Sequence, residues 1–325
     1  MLRFLLNAIL FLLGLLAAAA ILTWLVGHVV SDRYAWSQWL LWIPTPAALL
    51  AACLGLLCAA RPARRRRVRR SRRLIWLNIT IILACYFALF EHHLLSLRST
   101  DPDGLKLVHW NLGKAREEPE GPFAGRIVAL DGDVTILTNA VRVPYTEKVR
   151  DWLGEERRPL HIGPFVILTR LEMLQWRWLA VQEGIVIVLL ELDATEMIGR
   201  PITLYLVDLP SNPRLGRAAI ARKVRSFLAE TEADTPPPDV VVGDFNITRG
   251  SAALSMAMPG LRHAFDDAGH GYGASFHQSL PLYHIDHVLL APTVRCTRYD
   301  LIDPGLGRHR AQAAWLVETA SPASR

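Results

Sequence analysis

Three apolar runs crowd into the first 97 residues, Phe4 to Val30, Trp39 to Ala60 and Leu74 to Leu95, and each approaches the roughly 20 residues that cross a bilayer. No other feature narrows the fold as much. The first run far exceeds the about 7–15 apolar residues of a cleaved signal peptide, and two more follow it. The spacing therefore predicts a membrane anchor with three transmembrane helices over 1–97. Pro44 and Pro46 fall near the start of the second run, where a helix tolerates proline best, so they do not exclude a span.

Orientation follows from residues 61–73, where nine arginines join the second and third runs. The positive-inside bias predicts a basic cytoplasmic loop there, with Arg3 also inside and residues 98–325 delivered to the outer side. The same arginines have the composition of an anionic-lipid or nucleic-acid site, but topology alone accounts for them.

This segregation changes how the sequence isoelectric point of about 9.4 is read. Residues 1–97 carry 11 Arg against Asp32 and Glu91, a net of +9, which leaves 25 basic and 28 acidic side chains downstream, a net of −3. A basic isoelectric point usually marks a nucleic-acid surface, yet here the positive charge sits in one short loop. Duplex DNA, whose phosphates call for Lys and Arg, is disfavoured as a partner of the acidic domain. Cys53, Cys58 and Cys85 lie in the apolar runs and Cys296 stands alone, so the spacing gives neither a disulfide framework nor a Cys/His metal motif.

From residue 98 the pattern alternates short strands rich in Val, Ile and Leu with helical segments, the pattern of an α/β domain over 98–325. Strands are predicted at 105–111, 134–138, 165–169, 185–192, 202–209, 240–242, 285–290 and 313–317, and the clearest helix over 214–230. Polar residues stand where strands end. The run Val240-Val-Val-Gly243-Asp244-Phe245-Asn246 is a buried strand closing on a glycine, which lets the chain turn sharply and aim Asp244 and Asn246 into one cleft. A carboxylate there can orient and deprotonate water, and an amide can donate to a phosphate oxygen.

Three further segments carry a family resemblance. Leu105-Lys-Leu-Val-His-Trp110-Asn111 resembles the first strand of the endonuclease/exonuclease/phosphatase superfamily, the deoxyribonuclease-I-like fold. Tyr283-His-Ile-Asp286-His287-Val-Leu-Leu resembles its late Ile-Asp-His strand, and Gly307-Arg308-His309-Arg310 sits where that family has Ser-Asp-His-Arg-Pro. The resemblance implies a four-layer sandwich, two packed β-sheets flanked by helices, and a phosphodiesterase or phosphatase that uses Mg2+ or Mn2+. By motif, Asn111, Asp244, Asn246 and His309 keep the catalytic residue types and Asp286 that of a site carboxylate. With its apolar spans, the whole chain resembles a bacterial membrane-anchored member of the inner (cytoplasmic) membrane, its C-terminal domain extracytoplasmic and the lipid bilayer its partner.

Three positions depart from the family. In Asp133-Val-Thr-Ile-Leu-Thr138-Asn139 an amide replaces the metal-ligating Glu, and a neutral ligand holds a hard dication less well. Asp208 stands at a family His, and Arg308 replaces the Asp before His309, so His309 is expected to lack a carboxylate partner. Two functions follow from the resemblance. The domain either hydrolyses a phosphoester with Asp208 and Asp286 as metal ligands, or it is a non-catalytic binding or sensor module, a pseudoenzyme without the metal. A lipid headgroup or small phosphoester fits an acidic, tethered domain better than duplex DNA.

Overall fold

The computed structural model describes residues 1–61, 66–96, 99, 102–113, 120–140, 142–154 and 159–319. The chain divides into two compact units, Met1–Leu94 and Leu95–Arg325.

The first unit contains α1 (Leu2–Val30), α2 (Ser37–Leu41), α3 (Thr45–Cys58) and α4 (Arg66–Tyr86), the last continuing through a π-helical turn at Phe87–Glu91. Among the described residues, two helices are long and apolar enough to cross a membrane, Phe4–Val30 and Arg66–Glu91. The expected third span is not there. The 39–60 run is broken between α2 and α3, because Pro44 lacks an N–H and forces Ile43 away from helical geometry. The 14 residues of α3 span about 21 Å, short of the ~30 Å hydrocarbon layer. Much of the predicted basic loop is helical too, since arginine is a good helix former and α4 starts at Arg66; residues 62–65 of that loop lie outside the described residues. Trp24, Ala48, Ala52 and Leu83 form the unit's buried core. Small residues let the helices approach: a Cβ at Gly55 would overlap the Trp76 ring.

The second unit is built on β1 (Leu105–Asn111), β2 (Val134–Thr138), β3 (Leu160–Ile162), β4 (Phe165–Thr169), β5 (Met173–Gln182), β6 (Ile185–Leu192), β7 (Ile202–Asp208), β8 (Val240–Asp244), β9 (Arg262–His263), β10 (Asp286–Leu290), β11 (Val294–Ile302) and β12 (Ala311–Glu318). They form two six-stranded mixed sheets, ordered β11-β12-β1-β2-β4-β3 and β5-β6-β7-β8-β10-β9. The helices are α5 (Glu120–Leu130), α6 (Glu147–Leu153), α7 (Thr195–Ile198), α8 (Arg217–Thr231), α9 (Ala252–Ala257) and α10 (Ala264–Ala268). Helix α8 begins three residues later than its apolar spacing predicts, because Asn212 accepts the Arg214 N–H and holds the preceding turn.

Period-2 alternation sorts the strand residues into layers. Leu105, Leu107, Val134 and Ile136 from the first sheet meet Leu204, Leu206, Val240, Val242, Val288 and Leu290 from the second in one core. The opposite faces pack on helices: Val108, Trp110 and Leu137 against Phe123, Ile127 and Val149 of α5 and α6, and Tyr205, Val207 and Val241 against Ile220, Val224 and Ala253 of α8 and α9. Following the inward positions to the strand ends, Leu107 leads to His109 and Asn111, Leu206 to Asp208, Val242 to Asp244, and Val288 back to Asp286. The apolar inner layer thus gives way to polar groups at one end of the sandwich.

Candidate active site

Three carboxylates stand side by side on adjacent strands of the second sheet. Asp208 is in register with Asp244 across the parallel β7–β8 pair, and Asp244 with Asp286 across the antiparallel β8–β10 pair. Gly243 makes this row feasible, because a Cβ there would overlap the Val207 carbonyl oxygen of the neighbouring strand. Asp244 is held at both oxygens: Asn111 Nδ2 donates to Oδ2 at 2.8 Å and the Asn246 N–H to Oδ1 at 2.9 Å. Asn246 turns the chain in the left-handed region at φ 52°, and its Nδ2 donates to the Leu209 carbonyl at 2.9 Å. From the first sheet, Asn111 Oδ1 accepts from the Gly113 N–H at 2.9 Å and from Asn139 Nδ2 at 3.3 Å. Asn139, exposed and also left-handed at φ 60°, follows β2 directly.

His309 does have a carboxylate partner. Its Nδ1 lies 2.8 Å from Asp286 Oδ2, which also accepts the Ser275 hydroxyl at 2.6 Å. The expectation that Arg308 leaves His309 unsupported is therefore overturned: a residue 23 positions earlier, brought in by the fold, supplies what the adjacent position does not. The Trp110 indole donates to the His309 carbonyl at 3.1 Å, tying this loop to the core, and the Phe276 ring lies 4.9 Å from the imidazole. Arg308 itself is exposed, its stem beside Gly113. Ser275, Phe276 and His109 are the residues of this region that sequence reasoning missed. His109 was within reach, since it is two positions before Asn111 on the same strand face; Ser275 and Phe276 carry no short-range signal.

Burial and mutual repulsion set the charges. Burial, then the charge of Asp286, pushes Asp244 up to about 8, and the same two causes push the Asp208 carboxyl up to about 6. Burial opposes ionisation of Asp286 as well, but the charge and hydrogen bond of His309 override it and hold that carboxyl down at about 2. His309, despite burial, is raised by the charge and hydrogen bond of Asp286. Behind them His109 is fully buried, and burial lowers it to about 4. Its ring nitrogens meet Thr138 Oγ1 at 3.0 Å and Gln312 Nε2 at 2.9 Å.

This donor set suits a hard dication. Asp286 Oδ1 is buried without a hydrogen-bond partner, and ligand atoms of Asp244, Asp286 and His309 all lie within 4.8 Å of one another. Carboxylate oxygens crowded together are what Mg2+ or Mn2+ takes, and a cation between them would relieve the repulsion from Asp286 that adds to burial in favouring the protonated forms of Asp208 and Asp244. His263, His284 and His287 also cluster within 4.8 Å. There the Phe265 N–H donates to His263 Nδ1, His263 Nε2 meets His287 Nδ1 at 2.9 Å, and His287 Nε2 donates to the Ile247 carbonyl at 2.7 Å. Two of its three rings are thus committed at both nitrogens, and in the third, His284, the buried Nδ1 has no hydrogen-bond partner.

A sequence profile of the Endonuclease/Exonuclease/phosphatase family matches residues 108–321. Among solved structures, the chain is similar to an endonuclease/exonuclease/phosphatase family protein from Bacteroides thetaiotaomicron, at 13% identity and a TM-score of 0.54 over 68% of this chain and 100% of that one. It is also similar to a mannosyl-6-phosphatase from the same species, at 14% identity and a TM-score of 0.51 over 66% of this chain and 99% of the other. The human Nocturnin catalytic domain with bound sulfate matches at 14% identity and a TM-score of 0.50, over 70% of this chain and 99% of that domain. No curated protein sequence matches the chain.

Proposed function

The chain belongs to the endonuclease/exonuclease/phosphatase family, and we propose that its 95–325 unit hydrolyses a phosphoester with the help of a divalent metal. The observation that carries this reading is the Asp286–His309 pair at 2.8 Å beside an Asp244 fixed by Asn111. A carboxylate that accepts at Nδ1 sets the tautomer and orientation of the imidazole and favours its charged form, leaving Nε2 to donate to a phosphate oxygen. Asp244, oriented through both oxygens and with its proton affinity raised to about 8, is suited in its ionised form to take the proton of an attacking water. Asn246 and Asn111 keep that carboxylate from turning. Asp286 Oδ1 and Asp208 would hold Mg2+ or Mn2+, which when bound supplies charge to polarise the phosphoryl oxygens.

The net charge of −3 downstream of residue 97 favours a lipid headgroup or small phosphoester over duplex DNA. We place the protein in the bacterial cytoplasmic membrane, α4 passing from its arginine-rich cytoplasmic start to an extracytoplasmic 95–325 unit. The test is hydrolysis of bis(4-nitrophenyl) phosphate and of anionic phospholipid by the full chain in detergent, with Mg2+ or Mn2+. Metal-dependent turnover that is lost in Asp244→Asn and His309→Ala is the expected result. Asn139 favours a second reading, a non-catalytic binding module. That reading takes over if no turnover is seen and calorimetry detects no divalent-metal binding.

A further inference from the structure

The membrane unit carries a cavity that nothing in the catalytic reading uses. It has a volume of about 1020 Å3 and is lined by five arginines of α4, Arg66, Arg67, Arg69, Arg70 and Arg73. Its remaining wall is leucine: Leu56 of α3, and Leu74 and Leu77 further along α4. We propose that this cavity binds the headgroup of an anionic phospholipid, one with two phosphodiesters in preference to one. The proposal rests on the reading of α4 as a membrane-crossing helix.

Charge balance is the first argument. Arg66, Arg69, Arg70 and Arg73 recur at helical spacing on one face, where like charges three and four residues apart repel. No internal acid relieves them. Among the described residues none of the five makes an ion pair, and the acidic side chains of 1–94 are Asp32 and Glu91 alone. Glu91 accepts the hydroxyl of Thr45 at the start of α3, and Asp32 is buried beside Ser31. The neighbouring Arg72 shows what a structural arginine does in this helix: its Nη2 donates to the Arg61 carbonyl beyond α3 at 3.1 Å. Among the described residues the five cavity arginines, all exposed, close no such contact, which leaves their guanidinium groups open to an anion from outside the chain.

The order of residues along the wall is the second argument. Arginine gives way to leucine within one turn, from Arg73 to Leu77, a rise of about 6 Å. A phosphate followed by an acyl chain has the same polarity over the same distance. Free phosphate would leave the leucines unused, and a nucleic acid would find no aromatic platform for its bases among the lining residues. Five guanidinium groups, each able to hold phosphate oxygens in a two-pronged fork, exceed what one phosphodiester can occupy.

The test uses the full chain reconstituted in phosphatidylcholine nanodiscs doped with phosphatidylglycerol or diphosphatidylglycerol, with bound lipid counted by native mass spectrometry. The wild-type chain is expected to retain diphosphatidylglycerol about tenfold more than phosphatidylglycerol, and phosphatidylcholine least. Replacing Arg66, Arg69, Arg70 and Arg73 together by Lys keeps every charge that orients the helix but removes the fork, and retention should fall about tenfold. Leu56→Trp, which fills the cavity and leaves all arginines in place, should also lower it. Equal retention in all three proteins would reduce the arginines to a diffuse charge and overturn the proposal, as would preference for a single-stranded oligonucleotide over every lipid. Extraction of the chain from membranes by alkaline carbonate would remove the membrane reading itself, whereas a chain that stays inserted without lipid preference removes this inference alone.

Discussion

The two walls of the cleft are built from the same kind of strand end and carry opposite chemistry. The second sheet lines up Asp208, Asp244 and Asp286 in register, whereas the first offers the amides of Asn111 and Asn139 with His109 and Gln312 behind them. A neutral wall can donate to a charged one: Asn111 reaches Asp244 directly, which a carboxylate at that position could do only by holding a proton. An amide at position 139 therefore does more than forgo a ligand. It concentrates the negative charge on one sheet, where it is balanced by His309, reaching in to Asp286 from the loop before β12.

Removing the balance should have the largest effect. Asp286→Asn removes the charged acceptor that fixes His309 Nδ1, and turnover should drop by about 10³–10⁴, the scale seen when a triad carboxylate is amidated. The pH profile should move with it, the limb assigned to His309 shifting to lower pH.

The neutral wall is also expected to fail in acid. His109 and, deeper in the second sheet, His287 are lowered by burial to about 4, below the 6.5 of an exposed imidazole. Their neutral forms belong to the folded state, so the stability they contribute is present above pH 6.5 and is lost as pH falls toward 4. Each should add about 1.4 kcal/mol per pH unit to the slope in that window. Urea unfolding of wild type and His109→Gln at several pH values should differ by close to one proton.

Smaller effects test the contact between the walls. Asn111→Leu deprives the buried Asp244 of a donor and should cost about 1.5–3 kcal/mol in thermal or denaturant unfolding. Asn139→Glu makes both walls acidic. It should tighten Mn2+ binding about tenfold by calorimetry, while its left-handed backbone at φ 60° costs a non-glycine, non-asparagine residue ~1 kcal/mol of stability.

What could be read from the sequence was whatever left a local trace. The inward alternation of β1, β7, β8 and β10 ends in Asn or Asp, so those four strands and their terminal residues were visible as motifs. Strands β5 and β11 were not. In β5 the face bearing Trp176 and Trp178 is solvent-exposed and interleaved with Gln175 and Arg177. In β11 the Arg298–Asp300 ion pair at 2.7 Å and the stacking of Arg298 on Trp315 give a strand the composition of a loop. The pairing of His309 with Asp286 was hidden for another reason: motif reading looks for the partner next door at Arg308, and only the meeting of the loop before β12 with β10 reveals it. Within the apolar half, hydropathy registered the length of the 39–60 run but not the proline that divides it.

The pairing of β1 with β12 sets the order in which the molecule can be made. Leu105 faces Leu316 across that ladder, a separation of roughly 200 residues, which at ribosomal rates of about 5–20 residues per second is on the order of 10–40 s of synthesis. Strands β5 to β8 follow one another in the chain and can associate well before then. The acidic wall is thus assembled early, with Asp208 and Asp244 already neighbours, while β1 waits with one edge unpaired and Trp110 without the His309 carbonyl. The complete site arrives as the closing event of folding, and a nascent domain passes through an interval in which its carboxylates are gathered before the imidazole that balances them.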